Sequence, residues 1–76
     1  MTTFDYGQTV RVTKSAPEKW KPSSTGWIVG MRRADSEELA NEFNTHKNAM
    51  IYLVEFDELP DGIEMPEEML IAHEVP

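Results

Sequence analysis

Cysteine is absent from the 76 residues of this chain. A disulfide or a thiolate zinc site, the usual supplements to a small core, is therefore excluded. Long apolar runs are also missing, and the N-terminal MTTFDYGQT lacks the basic and apolar regions of a secretory signal peptide. We expect a soluble cytoplasmic protein that does not contact a membrane.

Lysine and arginine are scarce as well, with seven of them against fourteen Asp and Glu, so the formal net charge is −7. Because phosphate contacts need clustered cations, no nucleic-acid partner is expected. The charge is uneven: residues 1–34 carry a net +4, whereas residues 51–76 carry a net −8 without any Lys or Arg. We expect an acidic surface, which would attract a basic protein partner.

Residues suited to catalysis or metal binding are few. The two histidines, His46 and His73, lack the short spacings of metal-binding motifs. Asp57, Glu58 and Asp61 lack the regular ligand spacing of a calcium loop, and turn solvation accounts for them better. We therefore predict that the chain is not an enzyme and has no catalytic residue, no metal and no cofactor.

The clearest strand signal lies in the second half of the chain. Tyr52, Val54 and Phe56 alternate with residues of the opposite face, which predicts a strand over 51–56 with these three side chains inward. Turn formers fill residues 57–62, DELPDG, so we predict a reversal at Asp-Gly and a loop longer than a two-residue hairpin.

The pattern after this turn predicts three short elements. A return strand over 63–65 would be stopped by Pro66. One helical turn is predicted over 66–69, with proline first and acids near its positive end. The last strand is predicted over 70–75.

The first half contains two further strand patterns, at 9–13 and at 26–33. The second includes two glycines four residues apart, which favours a bulge or a sharp bend. Between them, residues 14–25 are predicted to form a long exposed loop around Trp20. Trp20 either folds back over one end of the core or contacts a partner, and both interpretations stay open.

Residues 35–48 are predicted to form a helical insertion between the second and third strands. Asp35 is expected to be the N-cap, with Glu38 completing a capping box, and the helix is expected over 36–44. Leu39 and Phe43 lie on one face and should dock on the sheet. The insertion is interpreted either as structural cover or as a recognition element.

These elements together predict a mainly β fold: a small SH3-like antiparallel barrel of about five strands, occupying residues 1–76 as a single domain. Four blocks of sequence carry a resemblance. They are Val10-Arg11-Val12, GWIVGM at 26–31, YLVEFD at 52–57 and IEMPEEML at 63–70.

In these blocks, 23 of the 76 residues, the protein resembles the SH3-like immunity proteins of bacterial polymorphic-toxin systems. Related small barrels, including accessory subunits with a nitrile-hydratase-β-like domain, share versions of the same blocks. The resemblance implies a cytoplasmic inhibitor that sequesters a toxin domain, typically by covering its active site with acidic groups. It carries over no catalytic residue.

Two functions follow as hypotheses. The first is protein binding, as an immunity protein that engages a basic toxin surface. The second is an accessory subunit that docks on a larger enzyme through apolar surface around Trp20, Trp27 and Phe43. The residues predicted to contact a partner are Trp20, Asp57, Glu58, Asp61, Glu64, Glu67 and Glu68.

Overall fold

The computed structural model describes residues 4–73, and these form a mainly β fold with one sheet of five antiparallel strands. The strands are β1 (Thr9–Val12), β2 (Thr25–Arg33), β3 (Met50–Phe56), β4 (Leu59–Pro66) and β5 (Leu70–Ala72). Helix α1 (Glu37–Glu42) lies between β2 and β3, and two 3-10 turns occupy Glu18–Trp20 and Glu67–Met69. No helix in the described part of the chain is long and apolar enough to cross a membrane.

The strand order is β4-β3-β2-β1-β5, so β2 is the central strand of the sheet. Its first residues pair with β1, and from Trp27 onward it pairs with β3. The register shifts between Ile28 and Gly30, which confirms the bulge predicted from the two glycines. At Gly26, a Cβ atom would overlap the carbonyl oxygen of Glu55, so the close approach of β3 requires glycine there.

The core contains the predicted inward face of β3. Tyr52 and Val54 are fully buried and Phe56 is almost so. Ile51 is also fully buried, although strand alternation places it on the opposite face. Its ladder partner Arg32 has its guanidinium carbon 5.9 Å from the centre of the Phe43 ring, so the insertion folds against that face.

The turn between β3 and β4 is shorter than predicted. Phe56 pairs with Leu59, so the loop contains only Asp57 and Glu58, and the predicted reversal at Asp-Gly is wrong. Gly62 does have a positive φ, of 76°. It lies inside β4, however, where the pairing with β3 is irregular between Leu59 and Ile63. A pattern of turn formers does not distinguish a tight turn followed by an irregular strand from a long loop.

The return strand is correspondingly longer than predicted, because β4 runs from Leu59 through Pro66. Proline is tolerated at its end because Pro66 has extended backbone angles. The predicted helical turn is confirmed as the second 3-10 turn. The last strand is shorter than predicted, ending at Ala72, and the prediction for residues 74–75 lies outside the described residues.

The helical insertion has its predicted position but different ends. The N-cap is Ser36, with extended backbone angles, and its hydroxyl oxygen accepts a hydrogen bond from the Leu39 N–H at 3.2 Å. The prediction of Asp35 as N-cap is therefore wrong by one residue. Helix α1 has only six residues, fewer than predicted. Phe43 is buried and Leu39 packs against the core, which confirms their predicted docking.

Candidate functional site

Five of the six acidic residues predicted to contact a partner lie toward the two ends of β4, and Glu64 lies between them. Asp57, Glu58 and Asp61 lie at the end formed by the β3–β4 turn, and we call them the acid tip. Glu67 and Glu68 lie in the second 3-10 turn and form the acid cap. Since β4 has eight residues, the two groups are separated by roughly 20 Å along an extended strand. The predicted acidic surface is therefore divided into two.

The acid tip is exposed and only partly neutralised. Glu58 Oε2 lies 3.9 Å from Lys21 Nζ, with the Glu58 side chain 83% exposed, so this pair is loose and well solvated. Asp57 and Asp61 are also exposed, and their carboxylates have no hydrogen-bond donor or cation partner within residues 4–73. Two of the three carboxylates are thus available to an external cation.

Glu64 is engaged within the protein. Its two carboxylate oxygens accept hydrogen bonds from Arg32, at 2.7 Å from Nε and 2.9 Å from Nη2. Such a bidentate pair fixes both side chains. A partner that used Glu64 would compete with Arg32, whereas Asp57 and Asp61 have no such competitor in the described chain.

The acid cap is linked to the end of the insertion. The Thr45 hydroxyl donates to the Glu68 carboxylate, 2.8 Å from each of its oxygens. Glu67, half-buried beside it, has no such partner among the residues described. This hydrogen bond places the acid cap beside Thr45, near the end of the insertion.

The insertion carries four further acids that were not predicted to contact a partner. Asp35, Glu37, Glu38 and Glu42 are all exposed. The signal that could have identified them is the charge of residues 35–48, which contain four acids and one lysine. Together with the acid cap, the insertion contributes six of the fourteen Asp and Glu residues of the chain.

Trp20 is buried, with 5% of its surface exposed, and it packs in the core cluster. Lys19 Nζ lies 4.9 Å from the centre of its ring, and its 3-10 turn contacts β4. This arrangement favours the interpretation that Trp20 covers one end of the core. The contact of Trp20 with a partner stays a prediction, and the buried ring leaves little surface for such a contact.

The apolar surface expected around Trp20, Trp27 and Phe43 is not presented by these residues. Trp20 and Phe43 are buried, and Trp27 is half-buried. The burial of Phe43 agrees with its predicted docking on the sheet, so these three aromatics leave little apolar surface for a partner. The large apolar side chains that are exposed instead are Tyr6, Val29 and Ile71.

Two surface cavities are lined by residues outside the acid tip. One, of about 350 Å³, is lined by Glu37, Ala40, Asn41, Thr45, His46 and Lys47. The other, of about 290 Å³, is lined by Arg11, Val12, Thr13, Lys14, Ser23 and Ile71. Within residues 4–73, no group of three or more His, Asp and Glu side chains is placed to hold a metal ion.

Comparison of the chain with protein-family models, curated proteins and solved structures finds no match. The acid tip is the strongest candidate, because it combines a short, firmly anchored turn with carboxylates that lack an internal partner.

Proposed function

We propose that the chain is a small SH3-like barrel that acts as a non-catalytic protein-binding module. The barrel is supported by the strand order, by a nine-residue β2 that pairs with both β1 and β3, and by the 3-10 turn before β5. The first 3-10 turn, which lies between β1 and β2 in the chain, contacts β4 at one edge of the sheet. This contact also supports a barrel.

The most concrete form of this function is an immunity protein that neutralises a cognate bacterial toxin domain through an acidic surface. The observation that carries it is the exposure of Asp57 and Asp61 without a cation partner in the described chain. Carboxylates of this kind steer a basic partner during association and pair with its Lys or Arg on contact. The resemblance in the four sequence blocks points to the same class.

The geometry of the acid tip suits recognition. Its two-residue turn follows directly from Phe56, which is only 3% exposed and anchored in the core. A turn held in this way loses little conformational entropy on binding. The acid tip therefore offers a pre-organised pair of charges, and the acid cap with the insertion offers a second acidic area for a larger partner.

The experiment is a capture of binding proteins from lysate of the native cell, using the tagged chain as bait, with washes at low and then high salt. The captured protein, identified by mass spectrometry, is then produced and tested for toxicity with and without this chain. We expect a basic toxin domain that salt releases and that the chain inhibits at equal stoichiometry, because screening weakens charge-steered binding.

A variant pair tests the role of the acid tip. Asp57→Lys with Asp61→Lys should abolish protection against the captured toxin. Asp5→Lys with Glu18→Lys is the matched control, since it makes the same charge change at exposed positions outside both acidic groups. Protection that survives the tip reversal would remove the acid tip from the interface, and a captured protein without toxicity would refute the immunity function.

An accessory subunit that docks on a larger enzyme through apolar surface is the second candidate, and a specific observation favours it. Tyr6 is 67% exposed and Val29 is 38% exposed. The two lie near each other, since the N–H of Gly7 donates to the Ile28 carbonyl at 2.7 Å. A captured metabolic enzyme that resists high salt and is lost with Tyr6→Ser and Val29→Ser would establish this function instead.

A further inference from the structure

The basic side chains of the protein divide into engaged and free groups. Four of them have a partner within the protein. Two form ion pairs, Lys21 with Glu58 and Arg32 with Glu64. The other two are Lys19, which lies over the Trp20 ring, and Arg33, which donates to the Asn48 carbonyl. Within residues 4–73, the cations without a hydrogen-bond, ion-pair or aromatic partner are Arg11, Lys14 and Lys47. Two of these three, Arg11 and Lys14, line the same cavity of about 290 Å³.

We call this cavity the basic groove, and strand alternation explains its lining. Val10 and Val12 are buried, so Arg11 points to the opposite face of β1, and Thr13 follows directly after the strand. Arg11 lies opposite Ile71 of β5, whose side chain is 52% exposed. The Ser23 hydroxyl completes a lining that contains cations, hydroxyls and apolar surface but no carboxylate side chain.

Among residues 4–73, β5 is the last strand in the order, so the groove runs beside a sheet edge that no described strand covers. Thr13 N–H donates to the Met69 carbonyl, and His73 N–H donates to the Thr9 carbonyl. Since hydrogen-bonded positions alternate along an antiparallel pair, the N–H and C=O groups of Ala72 point away from β1. They face the free edge, where another strand can add.

We propose that this edge and the basic groove bind an extended peptide segment of a protein partner that carries Asp or Glu side chains. The segment adds to β5 as a strand, and its carboxylates pair with Arg11 and Lys14. An added strand lies about 9.5 Å from β1, which is within the combined reach of an Arg and a Glu side chain. Ile71 lies between them and provides apolar contact.

A peptide fits this surface better than a phosphate or a nucleic acid does. Backbone groups at a strand edge are matched by another backbone, and an exposed Ile71 gives a phosphate nothing to bind. This binding uses charges opposite in sign to those of the acid tip, so it is independent of the proposed immunity function.

The test begins with selection of random displayed peptides on the whole protein and on Arg11→Gln with Lys14→Gln. We expect sequences enriched in Asp or Glu on the wild-type protein and the loss of that enrichment on the variant. Lys19→Gln with Lys47→Gln is the matched control, with the same charge change elsewhere, and should keep the enrichment. No acidic enrichment, or enrichment that persists on the groove variant, would overturn the proposal.

A selected peptide, labelled with a fluorophore, then separates the edge from the charges. Removal of both cations should weaken its binding by about tenfold or more, as expected when charge-assisted hydrogen bonds are lost. Ala72→Pro, which removes an N–H not used in the β1 pairing, should weaken binding with both cations present. Full binding of the peptide by Ala72→Pro would overturn the strand-addition mode. Displacement of the peptide by inorganic phosphate, or by a single-stranded oligonucleotide of matched charge, would overturn it as well.

Discussion

Arg32 of β2 and Glu64 of β4 are joined across β3 by two hydrogen bonds, 2.7 Å from Nε and 2.9 Å from Nη2. The same guanidinium lies 5.9 Å from the Phe43 ring of the insertion. One arginine from the basic half of the chain thus connects β2, β4 and the insertion. The side chains are 51% and 35% exposed, so solvent screens the pair.

The Arg32–Glu64 pair should contribute modestly to stability. A double-mutant cycle with Arg32→Gln and Glu64→Gln is expected to give a coupling free energy of about 0.5–1 kcal/mol, because bidentate geometry raises the value above that of an ordinary surface pair. Urea titrations of the four proteins measure it, and high salt should reduce it. A matched cycle on Lys21 and Glu58, separated by 3.9 Å, should give a smaller coupling; equal couplings would contradict the role of geometry.

Replacement of Phe56 should lower the free energy of unfolding more than most substitutions do. It is 3% exposed and precedes the β3–β4 turn. Phe56→Ala is expected to lower the free energy of unfolding by about 3–5 kcal/mol, through lost burial and a residual cavity. Val29→Ala, at an exposed position, is the control and should change stability by less than about 0.5 kcal/mol. A loss below 1 kcal/mol for Phe56→Ala, measured by urea titration, would refute the core placement.

Gly62 should resist replacement for two reasons. Its φ of 76° is unfavourable for other residues, and a Cβ atom there would lie 3.0 Å from Leu53 Cδ1 and 3.1 Å from the Val54 carbonyl oxygen. Gly62→Ala is expected to destabilise the protein by about 2 kcal/mol, measured by thermal and urea unfolding.

Gly7→Ala separates the two causes at Gly62. Gly7 has a similar φ of 80°, but an added Cβ would meet no atom within 4 Å. Its replacement should cost only the backbone term, roughly 1 kcal/mol. Equal losses at the two glycines would show that close approach of β3 contributes nothing at Gly62.

The cap of α1 can be assigned by a pair of substitutions. Ser36→Ala should destabilise the protein by about 1 kcal/mol, because the Leu39 N–H loses its acceptor. Asp35→Ala should have a smaller effect, since the Asp35 side chain caps nothing in the described chain. Chemical unfolding of both variants measures the difference, and a larger loss for Asp35→Ala would restore the assignment made from sequence.

The acid cap provides a further test of charge-steered binding. Glu67→Lys should leave the fold intact and slow association with a basic partner, because Glu67 has no internal partner among residues 4–73. Glu68→Lys should slow association as well, and it should also lower stability slightly through loss of the Thr45 hydrogen bond. Stopped-flow association rates measure the first effect, and unchanged rates would remove the acid cap from the interface.

The positions of most strands could be predicted from sequence because burial imposes a period of two on side chains. Tyr52, Val54 and Phe56 follow that rule, and all three are buried. The bulge in β2 was predictable for a similar local reason, since glycines are the residues that such a distortion favours. The candidate site was less predictable, because a sequence shows which residues are charged but not which of them are paired.

The sequence by itself determined the strand pattern, the helical insertion, the excess of carboxylates and the lack of a thiol. These depend on composition and on contacts between near neighbours in the chain. Only the tertiary structure decided that Glu64 is engaged by Arg32, that Trp20 is buried, and that Arg11 and Lys14 share a groove beside β5. Pairing and burial depend on residues far apart in sequence, and the register of the sheet brings those residues together.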